Sequence, residues 1–245
     1  MYKPQRIKDR EPENYFISMT DMMVGVLFVF IIMLMAFALN LKSTEAKTTG
    51  NYETRKEILK QIEKELASQG VKVILDLENG ILRLPEEVLF DSGRADIKER
   101  GQDALKKLHG AFAIILPCYV ETSDINKDKC NNERQNYIDT IFIEGHTDNI
   151  PIQTVRYKSN WDLSAARAIE TFQILSSHKP KLDALRNSFN KPIFSVSGYA
   201  DTRGTESNNS DIGRRKNRRI DIRFVMSTPR PEEVEKVKEQ IRENF

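Results

Sequence analysis

Cysteine and histidine are scarce in this 245-residue sequence, which contains two of the former and three of the latter. They are too scattered to form the closely spaced ligand pairs of a zinc site. No serine or cysteine stands in a sequence frame that would let His146 activate it as a nucleophile. We therefore expect no metal centre, no bound cofactor and no enzyme active site.

Charge is missing from one long stretch near the N-terminus. No Asp, Glu, Lys or Arg occurs between Met22 and Leu41, and a helix of this length rises about 30 Å, the thickness of a bilayer core. We predict a cytoplasmic tail over residues 1–14 and a transmembrane helix over residues 15–41. A cleaved signal peptide is the alternative, because "AFA" resembles a cleavage site, although the acidic front of the chain favours a retained anchor.

The charges that flank this apolar stretch bear on orientation. The front "MYKPQRIKDR" carries four basic residues, and fewer follow directly after the stretch. Positive residues concentrate on the cytoplasmic side, so the N-terminus is expected inside and the rest of the chain outside the inner membrane. The basic stretch "GRRKNRRIDIR" is typical of a nucleic-acid patch in a cytosolic protein. Outside the membrane it meets no DNA, and we expect no nucleic-acid partner.

Asp21 is a lone carboxylate at the edge of the apolar stretch. The preceding "YFISMT" is also largely apolar, so the helix is expected to begin near Tyr15, with Asp21 one or two turns inside it. Ionisable groups in a span are costly and usually face a partner helix or an aqueous path. The alternative is a structural one, in which Thr20 or Asp21 caps the first free amides of the helix.

Hydrophobic periodicity divides the remainder of the chain. Residues 42–69 form a charged connecting helix with an apolar stripe at Ile58, Ile62 and Leu66, which packs either on its own domain or against a second copy. Residues 70–228 form the soluble domain, and residues 229–245 form a charged tail.

Strand and helix patterns alternate within the soluble domain. The apolar stretches "VKVILDL", "ILRLP", "IDTIFIEG", "KPIFSVSGYA" and "RRIDIRFVM" are typical of strands, and "ADIKERGQDALKKLHGAFAIIL" and "NWDLSAARAIETFQILSSH" of amphipathic helices. This alternation predicts an α/β sandwich with some parallel pairing, preceded by a single N-terminal transmembrane helix.

A candidate binding site lies where "EGHTD" ends a strand and "NWDLSAARA" begins a helix. Ligands commonly bind at such junctions. Asp148 supplies an anion and Arg167 a guanidinium fork, a combination that suits a zwitterionic ligand. The structural alternative is an ion pair between Asp148 and Arg167 that only holds the strand to the helix.

Four stretches resemble the OmpA-like peptidoglycan-binding domain: "FDSGRADI", "IEGHTDNIPI", "NWDLSAARA" and "NRRIDI". The resemblance implies that Asp148 and Arg167 grip diaminopimelate of the cell-wall peptide, which carries an ammonium and a carboxylate on one carbon. Asn160, Leu163 and Arg218 would support this grip. The stretch at residues 117–137 is longer than the family leads us to expect. If it is exported, its Cys118 and Cys130 could form a disulfide.

A span with one Asp followed by an OmpA-like domain resembles the B subunits of rotary stators, of which MotB is the flagellar example. The span "MTDMMVGVLFVFIIMLMAFAL" is more similar to the ZorB subunits of Zorya anti-phage defence systems, and no proline follows it until Pro85. The resemblance implies a homodimer inside a ring of multi-span MotA-like (ZorA-like) subunits, anchored to peptidoglycan, with Asp21 carrying a proton rather than sodium. A flagellar-type stator subunit and a passive envelope tether are the alternatives.

Overall fold

The computed structural model describes residues 13–121, 130, 132 and 136–228, with the side chains of 13–18 and 43–48 excepted. The chain divides between residues 48 and 49 into two compact units. Most of the predicted N-terminal tail, the whole C-terminal tail and most of the predicted insertion at 117–137 lie outside the described residues.

The first helix, α1, extends from Glu13 to Ser68, so one helix covers both the predicted span and the predicted connecting helix. Its segment Met19–Lys42 has a mean hydropathy of 2.9 and is long and apolar enough to cross a membrane. The large apolar side chains between Met19 and Leu41 are 46–73% exposed, so none of the described residues covers them. This segment is the candidate for the predicted membrane span.

Asp21 lies inside α1 rather than at its start. Since the helix begins at Glu13, about two helical turns precede Asp21. An N-cap residue occupies the position just before a helix and bonds its first free amides. The helix-cap interpretation of Asp21 therefore does not fit the structure.

The last turns of α1 pack on the soluble domain. Ile58, Leu59, Ile62 and Leu66 are completely buried and belong to its main hydrophobic core. Of the two interpretations of this stripe, packing on its own domain is the one that the structure shows. The stripe consequently offers no apolar surface to a second copy.

A five-stranded sheet forms the centre of the domain, in the order β1-β2-β5-β3-β4. All neighbours are antiparallel except β3 and β4, which are parallel because a helix crosses over between them. The strands are β1 (Ile74–Asp76), β2 (Ile81–Pro85), β3 (Ile138–His146), β4 (Phe194–Gly198) and β5 (Arg219–Met226).

Within the described part of the chain four α-helices follow α1: α2 (Glu86–Leu89), α3 (Glu99–Ile115), α4 (Asn160–Ser177) and α5 (Asp211–Asn217). The sequence patterns did not indicate α2 and α5, which are too short to show an apolar periodicity. Phe112 of α3 packs against the rings of Phe194 and Phe224 from the sheet. Ser159 caps α4 by accepting a hydrogen bond from the amide of Asp162.

Two glycines bring α4 directly onto the sheet. A Cβ atom on Gly145 would lie 2.0 Å from the carbonyl oxygen of Ser164, and one on Gly198 would lie 2.6 Å from the amide nitrogen of Ala165. Neither distance is possible for a real side chain, so only glycine permits this approach. The close packing sets the first turns of α4 beside the end of β3, where the candidate site lies.

A disulfide joins Cys118 to Cys130, with their Cα atoms 5.3 Å apart. Close by, the side-chain amide of Asn132 donates to the carbonyl oxygen of Cys118 at 3.1 Å. Asn136 in turn donates to the hydroxyl of Thr54 on α1 at 3.0 Å. The described ends of the predicted insertion are thus bound both to each other and to the domain.

Candidate functional site

The register of the sheet brings three distant chain segments to one edge. Arg219, the first residue of β5, pairs with Pro85 at the end of β2 and with His146 at the end of β3. The residues just beyond these pairs, Glu86 and Asp148, therefore flank Arg218. A charged cluster is assembled here from residues that are far apart in sequence.

Asp148 is held by contacts on both of its carboxylate oxygens. It is 6% exposed. One oxygen accepts a hydrogen bond from the amide of Ile150 at 3.1 Å, and the other accepts from Nη1 of Arg218 at 2.6 Å. The cation in contact with Asp148 is therefore Arg218, and the ion pair with Arg167 predicted by the structural alternative is not among the described contacts.

Asn160 shapes the loop that carries Asp148. Its side-chain amide donates to the carbonyl oxygens of Asp148 and Ile150, each at 3.1 Å, and accepts from the amide of Ile152 at 3.1 Å. Leu163, one turn further along α4, is buried against Ala95 and Tyr157. Asn160 thus holds the loop that carries Asp148, and Leu163 packs in the apolar cluster beside it.

Arg167 is deeply buried, with 2% of its surface exposed. Its Nε donates to the carbonyl oxygen of Arg94 at 2.8 Å, its Nη2 donates to the carboxylate of Glu86, and the ring of Phe90 lies 5.1 Å from its guanidinium carbon. Burial lowers the pKa of Arg167, and the charge of Glu86 opposes this effect. These contacts within the domain hold the guanidinium of Arg167 in one position.

Glu86 links the two arginines, and sequence reasoning did not identify it. One carboxylate oxygen contacts Arg167, and the other lies 2.5 Å from Nε of Arg218. Partial burial opposes protonation of Arg218, but Asp148 and Glu86 outweigh it and raise the pKa of Arg218. The resulting chain of charges runs Arg167, Glu86, Arg218, Asp148, and it is electrically neutral.

A cavity of about 170 Å³ opens beside this chain of charges. Its charged lining consists of Glu86, Glu87, Asp91, Lys98, Arg215 and Arg218. Three carboxylates therefore face three cations around one small space. Such a lining suits a ligand that carries both a positive and a negative group.

A second buried cluster lies beneath the site and contains Glu144, His146 and Asp221, whose potential ligand atoms lie within 4.8 Å of one another. Both oxygens of Glu144 accept from Arg223, and those of Asp221 accept from Arg83 and Arg219. A divalent cation would have to displace or adjoin these guanidinium groups. Because the carboxylate charges are already neutralised, the chemistry of this cluster does not fit a metal site.

His146 predicts a loss of stability in mild acid. Burial, with a contribution from the charge of Arg219, lowers its pKa to about 3, so the folded protein keeps the ring neutral while the unfolded chain protonates it below about pH 6.5. The stabilisation is complete above pH 6.5 and is lost as the pH falls toward 3. Between pH 7 and pH 5 we expect a loss of about 2 kcal/mol in the free energy of unfolding.

The measurement is urea unfolding of the wild type and of His146→Phe at both pH values. Phe retains a ring to stack on Tyr199, whose centroid lies 5.5 Å from that of His146. Neither ring nitrogen of His146 has a hydrogen-bond partner in the described part of the chain, so the substitution removes mainly the titration. An equal loss of stability in both proteins would contradict the assignment to His146.

The fold and the site together define an α/β ligand-binding domain that follows an apolar helix. The chain belongs to the OmpA family, which matches residues 89–218, more than half of its length. This confirms the predicted fold class. A crystal structure of a MotB-like protein from Desulfovibrio vulgaris has the same fold, with a TM-score of 0.50 and 22% identity, covering 73% of this chain and 96% of that one.

Two relatives from Bacillus subtilis extend the comparison. Motility protein B is 30% identical over 167 residues, which cover 68% of this chain and 49% of that protein. The uncharacterized protein YtxE is 31% identical over 190 residues, covering 74% of this chain and 66% of the relative. The chain is therefore a MotB-like OmpA-domain protein, and its match spans about half the length of Motility protein B.

Proposed function

We propose that this protein is the wall-anchoring B subunit of an ion-driven rotary complex in the bacterial inner membrane. The observation that carries the proposal is the combination of a neutral, mixed-charge site in an OmpA-family domain with an apolar helix that holds a lone carboxylate. The protein crosses the membrane once, with its N-terminus in the cytoplasm and the OmpA-like domain in the periplasm. It binds and transports rather than catalysing a covalent reaction.

Peptidoglycan is the proposed ligand of the OmpA-like domain. Diaminopimelate presents an ammonium and a carboxylate on one carbon, and the site offers the carboxylate of Asp148 next to the guanidinium of Arg218. Both side chains are charged, and hydrogen bonds to charged groups are stronger than those between neutral groups. The mixed lining of the adjoining cavity further favours a zwitterion over a simple anion or cation.

Asp21 is the proposed carrier of the translocated ion. No other Asp, Glu, Lys or Arg is present from Thr20 to Leu41. Two copies of the helix, enclosed in a ring of multi-span MotA-like subunits, would each take up a proton from outside and release it inside. One charge that crosses about 100 mV yields roughly 2.3 kcal/mol. A proton is proposed over sodium, and no resident cofactor is needed.

Zorya anti-phage defence is the proposed setting, with a ZorA-like ring as the partner and a homodimer of this chain inside it. Two features of the sequence support it: the composition of the span, and the absence of proline between the span and Pro85. A flagellar-type stator subunit is the second candidate, favoured by the likeness to Motility protein B. A passive tether would use the wall site without needing Asp21.

Co-sedimentation with purified peptidoglycan sacculi tests wall binding. We expect the full-length protein in detergent to pellet with sacculi, and Asp148→Asn to weaken this binding at least about tenfold, because a charge-assisted contact of about 1.5–3 kcal/mol is lost. Asp96→Asn is the matched control, since Asp96 is exposed and pairs only with exposed Arg156 among the described contacts. Undiminished pelleting of folded Asp148→Asn would contradict the proposed site.

A further inference from the structure

Two of the three histidines in the sequence meet at the C-terminal end of α4. His109 lies in α3 and His178 directly follows α4, so they are too far apart in sequence to show a ligand spacing. Their ring centres are 5.4 Å apart, and the ring planes are inclined at 43°. Since α4 has 18 residues, the pair lies about 25 Å along this helix from the candidate functional site at its start. The two histidines therefore form a separate cluster.

The hydrogen bonds of the two rings determine which nitrogen carries the proton. Nδ1 of His109 lies 2.8 Å from the carbonyl oxygen of Leu175, and Nδ1 of His178 lies 3.1 Å from that of Ile174. The hydroxyl of Ser177 lies 3.0 Å from Nδ1 of His178 but donates its own hydrogen to Ile174. A carbonyl oxygen can only accept, so each Nδ1 is the donor. In the neutral rings both Nε2 atoms consequently hold a lone pair rather than a hydrogen.

The lone pair of His109 is buried without a partner. His109 is 4% exposed, and its Nε2 has no hydrogen bond within the described part of the chain. Buried polar atoms are nearly always bonded, so an unpaired one calls for a partner that these residues do not supply. His178 is partly exposed, which gives a small solute access to the pair from the solvent.

We propose that His109 and His178 bind one divalent transition-metal ion of the class of Zn²⁺ through their Nε2 atoms, and that water completes the coordination. Imidazole nitrogens suit zinc, whereas hard cations such as Mg²⁺ prefer oxygen ligands. The proposal differs from the sequence-based expectation of no metal centre, because the pair is formed only by the packing of α3 on α4. It does not depend on the proposed wall-binding function.

The spacing of the rings fits a shared ion. A nitrogen ligand lies about 2.0–2.1 Å from zinc and its ring centre about 1 Å further, so two imidazoles on one tetrahedral ion have centres about 5 Å apart. The distance of 5.4 Å between the ring centres of His109 and His178 is close to this value. One ion can therefore contact both rings without a rearrangement of the two helices.

The surroundings of the rings are also those of metal ligands. A ligating histidine usually donates its other ring N–H to a carbonyl or carboxylate oxygen, which fixes the tautomer and makes the ligand more basic. His109 and His178 both donate to backbone carbonyls. These carbonyls belong to the last turn of α4, where the negative end of the helix dipole favours a cation.

Calorimetric titration of the full-length protein in detergent with Zn²⁺ tests the site. The protein is purified without a histidine tag, freed of metal with a chelator, and kept without reductant so that the disulfide between Cys118 and Cys130 stays closed. We expect one Zn²⁺ per chain and no comparable binding of Mg²⁺. In His178→Phe the affinity should fall at least about tenfold, because one of the two protein ligands is lost.

His146→Phe is the matched control, since it removes the third histidine and leaves the pair in place. Its zinc affinity should equal that of the wild type. X-ray absorption at the zinc edge should show two imidazole nitrogens around the ion in the loaded wild type. Zinc should also raise the thermal unfolding midpoint of the wild type and leave that of His178→Phe unchanged.

Three results would overturn the inference. One is a wild type that binds Zn²⁺ no better than Mg²⁺. Another is undiminished zinc affinity in folded His178→Phe. The third is loss of binding in His146→Phe with normal binding in His178→Phe, which would place the ion at the buried cluster beneath the functional site. His178 is partly exposed, so its variant keeps the test decisive even if the buried substitution His109→Phe fails to fold.

Discussion

Asp21→Asn is expected to abolish ion flux and the biological activity that depends on it, while assembly and wall binding remain intact. Asn matches Asp in size and can still form hydrogen bonds, but it cannot alternate between a charged and a neutral state. Because Asp21 is the only charged residue between Thr20 and Leu41, no neighbouring group in the span can replace it. The energy of each charge transfer, roughly 2.3 kcal/mol per 100 mV, would then be unavailable.

The measurement is intracellular pH, and in parallel sodium, in cells that carry this protein and the proposed multi-span partner, together with survival under phage challenge. Asp21→Glu is the control, since it keeps the carboxylate and adds one methylene, and partial activity is expected. A passive tether predicts a different result, because it needs the anchor but no carboxylate. Full activity of Asp21→Asn would leave the tether as the better account.

Arg167→Leu is expected to destabilise the soluble domain by about 3–5 kcal/mol, the usual effect of removing one partner of a buried ion pair. The substitution leaves Glu86 buried with only Arg218 to neutralise it. Wall binding should fall as well, because Glu86 would no longer be held. The free energy of unfolding from urea denaturation and the pelleting assay with sacculi measure the two effects.

Arg156→Leu is the matched control for this substitution. Arg156 also forms an arginine–carboxylate pair, with Asp96 at 2.8 Å, but both side chains are more than half exposed, so little change in stability is expected. In the double variant Arg167→Leu/Glu86→Gln the loss should be smaller than the sum of the single losses, since the excess negative charge beside Arg218 is removed. A wild-type unfolding midpoint in Arg167→Leu would show that the pair contributes nothing.

Strands and the longer helices could be predicted because their apolar residues recur at fixed short intervals. The periodicity of "NWDLSAARAIETFQILSS" corresponds to α4, and "IDTIFIEG" to β3. Where that local signal is weak the prediction was less accurate. Only Ile74–Asp76 of the stretch "VKVILDL" is a strand, and the short helices α2 and α5 gave no signal.

The sequence predicted the residues of the candidate site more completely than it predicted the contacts between them. Asp148 and Asn160 were recognised from motifs that keep neighbouring residues together in sequence. The ion pairs of the site join residues that are far apart in sequence. Arg218 is 70 positions from Asp148, and Glu86 is 81 positions from Arg167. Nothing in a local pattern indicates which of several arginines will meet a given carboxylate.

The sequence by itself determined the apolar helix with its lone carboxylate, the alternation of strands and helices, and the motifs of the OmpA family. These are properties of adjacent residues, because hydrophobic spacing and chain length act locally. Only the tertiary structure decided that Asp148 contacts Arg218, that Arg167 is buried against Glu86, and that the stripe at Ile58 packs on its own domain. The reason is that the register of β2 and β3 on β5 places Pro85 and His146 opposite Arg219, and register is a property of the whole sheet.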